Sequence, residues 1–187
     1  MNPVLETIHT RRSVRSYERQ LIPKDVLRRI IDAGNNAPSG NNAQGWRFVV
    51  IENQTMREKL AALALPRYKA WMEKAPQTLK DKRADIDRET SDPVYYSAPV
   101  IIFVINSGIT SDMDTPMACQ NIMLAARSYG IGSCWVFFGQ LPVDDPGIRE
   151  ILELKAGEKI YGPIALGYPK GGFPEAPEKK ESIIKWA

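Results

Sequence analysis

Between His9 and Tyr17 the chain reads HTRRSVRSY, which puts three arginines and two serines into the seven residues from Arg11 to Tyr17. The guanidiniums of Arg11, Arg12 and Arg15 carry fixed charge and a planar fork of donors that matches phosphate or carboxylate oxygens in two-point contact. Ser13 adds a neutral hydroxyl donor. A second stretch, NNAPSGNNAQGW from Asn35 to Trp46, is rich in other groups. Its Ser39, Asn41, Asn42 and Gln44 both donate and accept hydrogen bonds, which a bare phosphate does not require. Two readings need no ligand: a solvated basic face that compensates a helix dipole, and ordinary Asn/Ser turn chemistry. Together, however, the stretches describe a ligand with an anionic tail and a polar, hydrogen-bonding body. Neither GxGxxG after a strand nor a Walker loop occurs, so a conventional Rossmann or P-loop phosphate site is not expected.

The elements that must hold these groups are legible from periodicity. Asn2 caps a first helix with Pro3 at its first position and Val4, Leu5 and Ile8 on one face, and this helix leads into the arginines. A second helix is predicted from Pro23 to Ala33, stopped by Gly34, and it delivers the amide-rich loop. WRFVVIE is the first strand, followed by a helix over Thr55 to Leu65. Residues 66–92 are charged and weakly periodic and predict one or two helical pieces forming a peripheral lid. Ala98 to Ile105, APVIIFVI, is a continuous β-branched run, as expected of a central strand covered on both faces. A buried helix from Asp114 to about Tyr129, the strand SCWVFFG, a short helix from about Asp145 to Leu154, and a last strand in YGPIALGYPKG complete four main strands alternating with helices. The tail, Lys170 to Ala187, ends in an apolar ESIIKWA that needs a partner to cover Ile183, Ile184 and Trp186.

At 187 residues one domain with one core is expected. The composition, 43% hydrophobic and 25% charged, is that of an ordinary globular protein. A net charge of +3 without a basic stripe excludes nucleic acid and membrane surfaces as expected partners. Cys119 and Cys134 have neither metal spacing nor a disulfide framework, and no run approaches a membrane span, so a cytoplasmic protein is expected. His9 at the end of the first helix reads as a helix-end partner and Cys134 as core, leaving no protein group suited to redox or acid–base work.

The motifs RRSVR, APSGNNAQGWRF, APVIIFV, DTPMACQNIMLAARSYGIG, SCWVFF and LGYP, in this order over nearly the whole chain, resemble the flavin-dependent nitroreductase family. The resemblance implies an α+β fold, a three-layer α/β/α sandwich with a mainly antiparallel sheet, dimeric with exchange of the C-terminal tail. It implies FMN at the homodimer interface: Arg11 and Ser13 on the phosphate, Arg12 assisting, Arg15 at the pyrimidine edge, and Pro38, Ser39, Gly40 and Asn42 approaching the flavin of the opposite subunit. The backbone of Trp135, Val136, Phe137 and Phe138 would lie along the isoalloxazine, with Gly167 of LGYP nearby and Lys179 or Lys180 completing the phosphate site. Gln44 and Trp46 read as structural. Two departures stand out. Gln44-Gly45-Trp46 replaces a common Gln-Pro-Trp, and a lysine replaces a late arginine, exchanging a fork for a point charge. The implied activity is NADH- or NADPH-dependent reduction of a small-molecule electron acceptor, a nitroaromatic or quinone, by ping-pong turnover. Dehalogenation, metabolite oxidation and a non-enzymatic binding module are the alternatives.

Overall fold

The computed structural model describes residues 2–182 and 185, so the expected packing of Ile183, Ile184 and Trp186 lies outside the described residues. Its centre is a four-stranded sheet of β1 (Arg47–Ile51), β2 (Val100–Asn106), β3 (Gly132–Trp135) and β4 (Lys159–Gly167), in the order β1-β2-β4-β3. Every neighbouring pair is antiparallel. Strand β2 is buried along its whole length, and its alternation divides the core in two. Ile101, Phe103 and Ile105 pack with Leu60, Ala64 and Tyr68 on one face. Val100, Ile102 and Val104 pack with Ile30, Ala118 and Ile122 on the other. The first face is covered by α3 (Gln54–Glu73), with α4 (Gln77–Glu89) and α6 (Pro146–Ile151) in chain order beyond it. The second is covered by α2 (Lys24–Asn35) and α5 (Ser111–Ser128). Helices, antiparallel sheet and helices make the three layers expected of an α+β sandwich. Among the described residues no helix is long and apolar enough to cross a membrane.

Three element boundaries differ from the sequence reading, each for a physical reason. Gly34 does not stop α2. It lies inside the helix, where a Cβ would meet Ile122 Cγ1 at 2.6 Å, so the glycine permits α2 to close on α5. Helix α3 continues through Pro66 to Glu73, because Leu60, Ala64 and Tyr68 repeat every four residues and bury one stripe across the proline. Strand β3 ends at Trp135 rather than Gly139. Its last pair is Trp135 with Ile164, after which Val136 N–H donates to Pro163 O at 2.8 Å. Pro163 has no N–H to return the bond, and Phe137–Gln140 turns into a 3₁₀ helix.

One ion pair fastens the start of β1 to the residue that precedes β4. Arg47 donates to both carboxylate oxygens of Glu158, at 2.8 and 2.6 Å. These bonds lower the Glu158 carboxyl from its ordinary 4.5 to about 2. A depressed folded-state value means the contribution is present above the unfolded value and is lost as pH falls from 4.5 toward about 2. Glu158→Gln should therefore be less stable than the parent at neutral pH and should lose less stability over that acid window, measured by urea unfolding at each pH.

Candidate functional site

The arginine-rich segment follows α1 (Pro3–Thr10), capped by Asn2 Oδ1 accepting from Val4 N at 2.9 Å. From Ser13 the chain is extended and strapped between β3 and the exit of β4. Ser13 bridges Ser133 in parallel, Val14 N–H donates to Ser133 O at 3.0 Å, and Glu18 N–H donates to Tyr168 O at 2.8 Å. Tyr17 Oη donates to Val14 O at 2.6 Å, which folds the end of the motif back on its own start. Val14 is buried against Gly132, where a Cβ would meet the Val14 side chain at 2.8 Å. With Val14 inward, Ser13 and Arg15 fall on the opposite side of the extended segment.

Arg11, Arg12, Ser13 and Arg15 line one cleft of about 710 Å³ together with His9, Gln120 and the tail residues Pro174–Pro177 and Lys179. The tail is placed by Arg127, whose guanidinium lies 4.1 Å from the Phe173 ring and whose Nε donates to Thr10 O at 3.2 Å. Lys179, rather than Lys180, reaches the cleft. Among the described residues none of Arg11, Arg12, Arg15 or Lys179 forms an ion pair, whereas five pairs form elsewhere. Arg12 Nη1 donates to His9 O, but its Nε is buried without any partner. A buried donor left unpaired is costly, and four cations against one carboxylate, Glu175, leave the cavity with a net positive charge; a polyanionic group entering the cleft offsets both.

The other predicted residues stand apart from this cleft. Gly40–Asn42 forms a 3₁₀ turn on an exposed loop, with Asn41, Asn42 and Gln44 at φ of 52°, 55° and 47°. These left-handed conformations are held both by α5 and by a bond within the loop. Gly40 N–H donates to both Asp114 oxygens at 3.2 Å, Thr110 Oγ1 donates to Asp114 at 2.6 Å, and Gln44 N–H donates to Ser39 Oγ at 3.0 Å. Gly45 leaves room for Asn106, whose Oδ1 would lie 2.8 Å from a Cβ there. Trp46 is buried and donates to Asn35 Oδ1 at 3.2 Å. Pro38, Ser39, Gly40 and Asn42 are thus presented outward by their own chain. Asp114→Ala is expected to cost about 1–3 kcal/mol of stability, because it strips a buried acceptor from two donors. Urea unfolding measures this, and Asp114→Asn should lose less.

Trp135 and Val136 sit where β3 ends, and Phe137 and Phe138 occupy the 3₁₀ turn beyond it. Phe138 is buried and meets Tyr68 and Trp71 edge-on at 4.9 and 5.2 Å, while Phe137 is half exposed. Gly167 does not face the cleft. It is buried where a Cβ would strike Pro99 and Tyr17 at 2.7 and 2.8 Å, so its role is to let the strapped segment approach β4. Burial pushes the Cys134 thiol up, against the opposing pull of Arg15, Arg83 and Arg11, and keeps it protonated as core. A second cleft of about 680 Å³, bounded by Arg57, Leu65 and Asp92, holds none of the predicted cofactor residues.

Sequence reasoning missed the groups that fix these side chains. Asp92 accepts from Val94, Tyr95 and Ser97 N–H at 3.1, 2.8 and 3.1 Å and so shapes the turn before β2. Arg83 of α4 is buried, although its region reads as peripheral. An arginine within a charged helix gives no local signal of burial; only the aromatic residues it meets, remote in sequence, reveal it.

The model of the nitroreductase family matches residues 8–168, from the last turn of α1 to the end of β4. The chain belongs to the nitroreductase family. It is similar to a Bacteroides fragilis nitroreductase solved with bound FMN, at 34% identity and a TM-score of 0.80, covering 100% of this chain and 99% of that one. It is also similar to an NADH dehydrogenase of Thermus thermophilus, at 27% identity over 94% of this chain and 92% of the relative. An iodotyrosine deiodinase of Thermotoga neapolitana is 24% identical over 100% of this chain and 98% of its own.

Proposed function

We propose that the chain is an FMN-dependent oxidoreductase that takes electrons from NADH or NADPH and passes them to a small electrophilic acceptor, a nitroaromatic or quinone, by ping-pong exchange. The observation that carries the reading is the cleft of Arg11, Arg12, Ser13, Arg15 and Lys179, cationic, unpaired and with a buried Arg12 Nε awaiting an acceptor. FMN, when bound, supplies the hydride and electron transfer that no side chain here can perform. Arg11, Arg12, Ser13 and Lys179 would hold its phosphate. Arg15, two residues beyond Ser13 on the same segment, would set a positive charge beside the ring system. The backbone of Trp135–Phe138 would form the wall along it, and Pro38, Ser39, Gly40 and Asn42 would meet the flavin of a second copy.

A homodimer is part of the same proposal, supported by an uncovered apolar face. Helix α1 buries none of its own side chains: Val4, Leu5 and Ile8 are 65%, 49% and 45% exposed. Met113 and Met117 of the packed α5 are exposed as well. Such a face reads as an interface, and Ile8 carries it to the rim of the cleft. The full-length likeness to a deiodinase adds reductive dehalogenation as a second acceptor class.

The test is a turnover screen. Bound flavin should bleach with NADH or NADPH and recover on adding a nitroaromatic, a quinone or a halogenated phenol, with parallel initial-rate lines. Intersecting lines would remove single-site ping-pong exchange, and no bleaching by either nucleotide would remove NAD(P)H as donor.

A further inference from the structure

Two guanidiniums lie over one buried ring. Arg15, in the cleft, has its Cζ 6.0 Å from the centroid of Tyr96, and Arg83, from α4, lies 5.8 Å from the same centroid. Arg83 also donates to Tyr96 Oη at 3.3 Å, to Tyr68 Oη at 2.9 Å and to Pro93 O at 2.6 Å, and lies 4.7 Å from the Phe138 ring. Tyr96 itself is 5% exposed and has φ of 60°, followed by Ser97 at 51°. Consecutive bulky and polar residues in the left-handed region are strained, and such strain persists only where the surroundings over-determine it. Here the surroundings are Asp92, which gathers three N–H groups of the turn, and Arg83, which grips the tyrosine at its hydroxyl.

We propose that Tyr96, locked by Arg83 and the Asp92 turn, is a positioning residue that aims Arg15 into the cleft. Arg15 is exposed, and its only hydrogen bond among the described residues is a long one to Ser13 O, at 3.4 Å. A flexible cation with four side-chain torsions would otherwise sample many directions. The aromatic face beneath it selects one of them through its quadrupole, and the strained backbone keeps that face in place. Arg83 joins the same device to Phe138, so the two walls assigned to the flavin, the arginine segment and the 3₁₀ turn, are held by one buried side chain. The inference rests on the flavoprotein reading above and assigns a role to residues outside it.

The experiment is a double-mutant cycle on the holoenzyme, reading FMN affinity and flavin midpoint potential for Tyr96→Leu, Arg15→Leu and the pair. A cation near the ring favours the negatively charged reduced cofactor, so loss or misdirection of Arg15 should lower the potential. Tyr96→Leu should shift the potential in the same direction as Arg15→Leu and weaken FMN about threefold to tenfold. The pair should equal Arg15→Leu alone, which is the signature of one residue acting through another. Tyr96→Phe, keeping the ring, should restore most of the loss. Arg83→Met, which frees the hydroxyl but leaves the ring, should give a smaller shift that is reduced in the Arg15→Leu background to the part passing through Phe138; it carries the test if Tyr96→Leu does not fold, and a shift undiminished in that background counts against the proposal. Additive effects, or a folded Tyr96→Leu with the parent's potential and affinity, would overturn the proposal alone. A parent protein that takes up no FMN would overturn the flavoprotein reading and this inference with it.

Discussion

Replacing Arg11 with alanine should weaken FMN binding by about 2–3 kcal/mol, roughly 30-fold to 150-fold in dissociation constant, with little change in folding stability. The size comes from the asymmetry of charge pairs. Truncating one partner of a desolvated pair leaves the other charge without its counter-ion, and that penalty exceeds the net worth of the contact. The lower part of the usual range applies because Arg11 is only partly buried and Arg12, Ser13 and Lys179 share the cleft. Arg11 has no ion-pair partner among the described residues, so its removal breaks nothing that the fold itself uses. Fluorescence titration of apoprotein with FMN measures the effect. Equal affinity in Arg11→Ala would take Arg11 out of the site, and Arg11→Lys should fall between, since a point charge keeps the attraction and loses the fork.

The paired substitution Val4→Glu and Leu5→Glu should convert a dimer into monomers and release FMN in the same step. In a two-fold interface every substitution acts twice. Uncovering one apolar side chain costs about 1.5 kcal/mol or more, so each position weakens the dimer by about 3 kcal/mol, over a hundredfold, before the burial of carboxylates is considered. Because α1 buries no side chain within its own chain, the monomer fold should survive. Sedimentation velocity with flavin fluorescence would follow both quantities. A variant that sediments as a monomer and keeps the parent's FMN affinity would separate the cofactor site from the interface and remove Pro38, Ser39, Gly40 and Asn42 from it.

What the sequence shows of this site depends on whether the controlling contact is local. Arg11, Ser13 and Arg15 announce themselves, because charge, hydroxyl and spacing are all contained in a few residues, and the cleft they line lies where the segment leaves α1. The four strands are equally legible, since β2 is a continuous apolar run with no alternative to burial on both faces. The end of β3 is not, because it is decided by the missing N–H of Pro163 on another strand. Gly34 looks like a helix stop and is a contact between helices, a difference visible only from Ile122. Gly167, which the resemblance sets near the flavin, lies outside the cleft lining and leaves the space in which Tyr17 packs, a contact visible only from Tyr17 and Pro99. Arg83 and Tyr96 carry no motif at all. Their relation to Arg15 is created by α4 folding over the turn at Asp92, and the three residues it joins, Arg15, Arg83 and Tyr96, lie apart along the chain.

The central claim is that the cleft beside the arginine segment holds FMN, and the most direct measurement is the flavin content of the protein as purified, released by heat and quantified against protein concentration. A yellow protein that yields close to one FMN per chain, and whose Arg11→Ala variant yields far less under the same purification, is the predicted result. A colourless parent protein that leaves the fluorescence of added FMN unquenched at micromolar concentration would contradict the account.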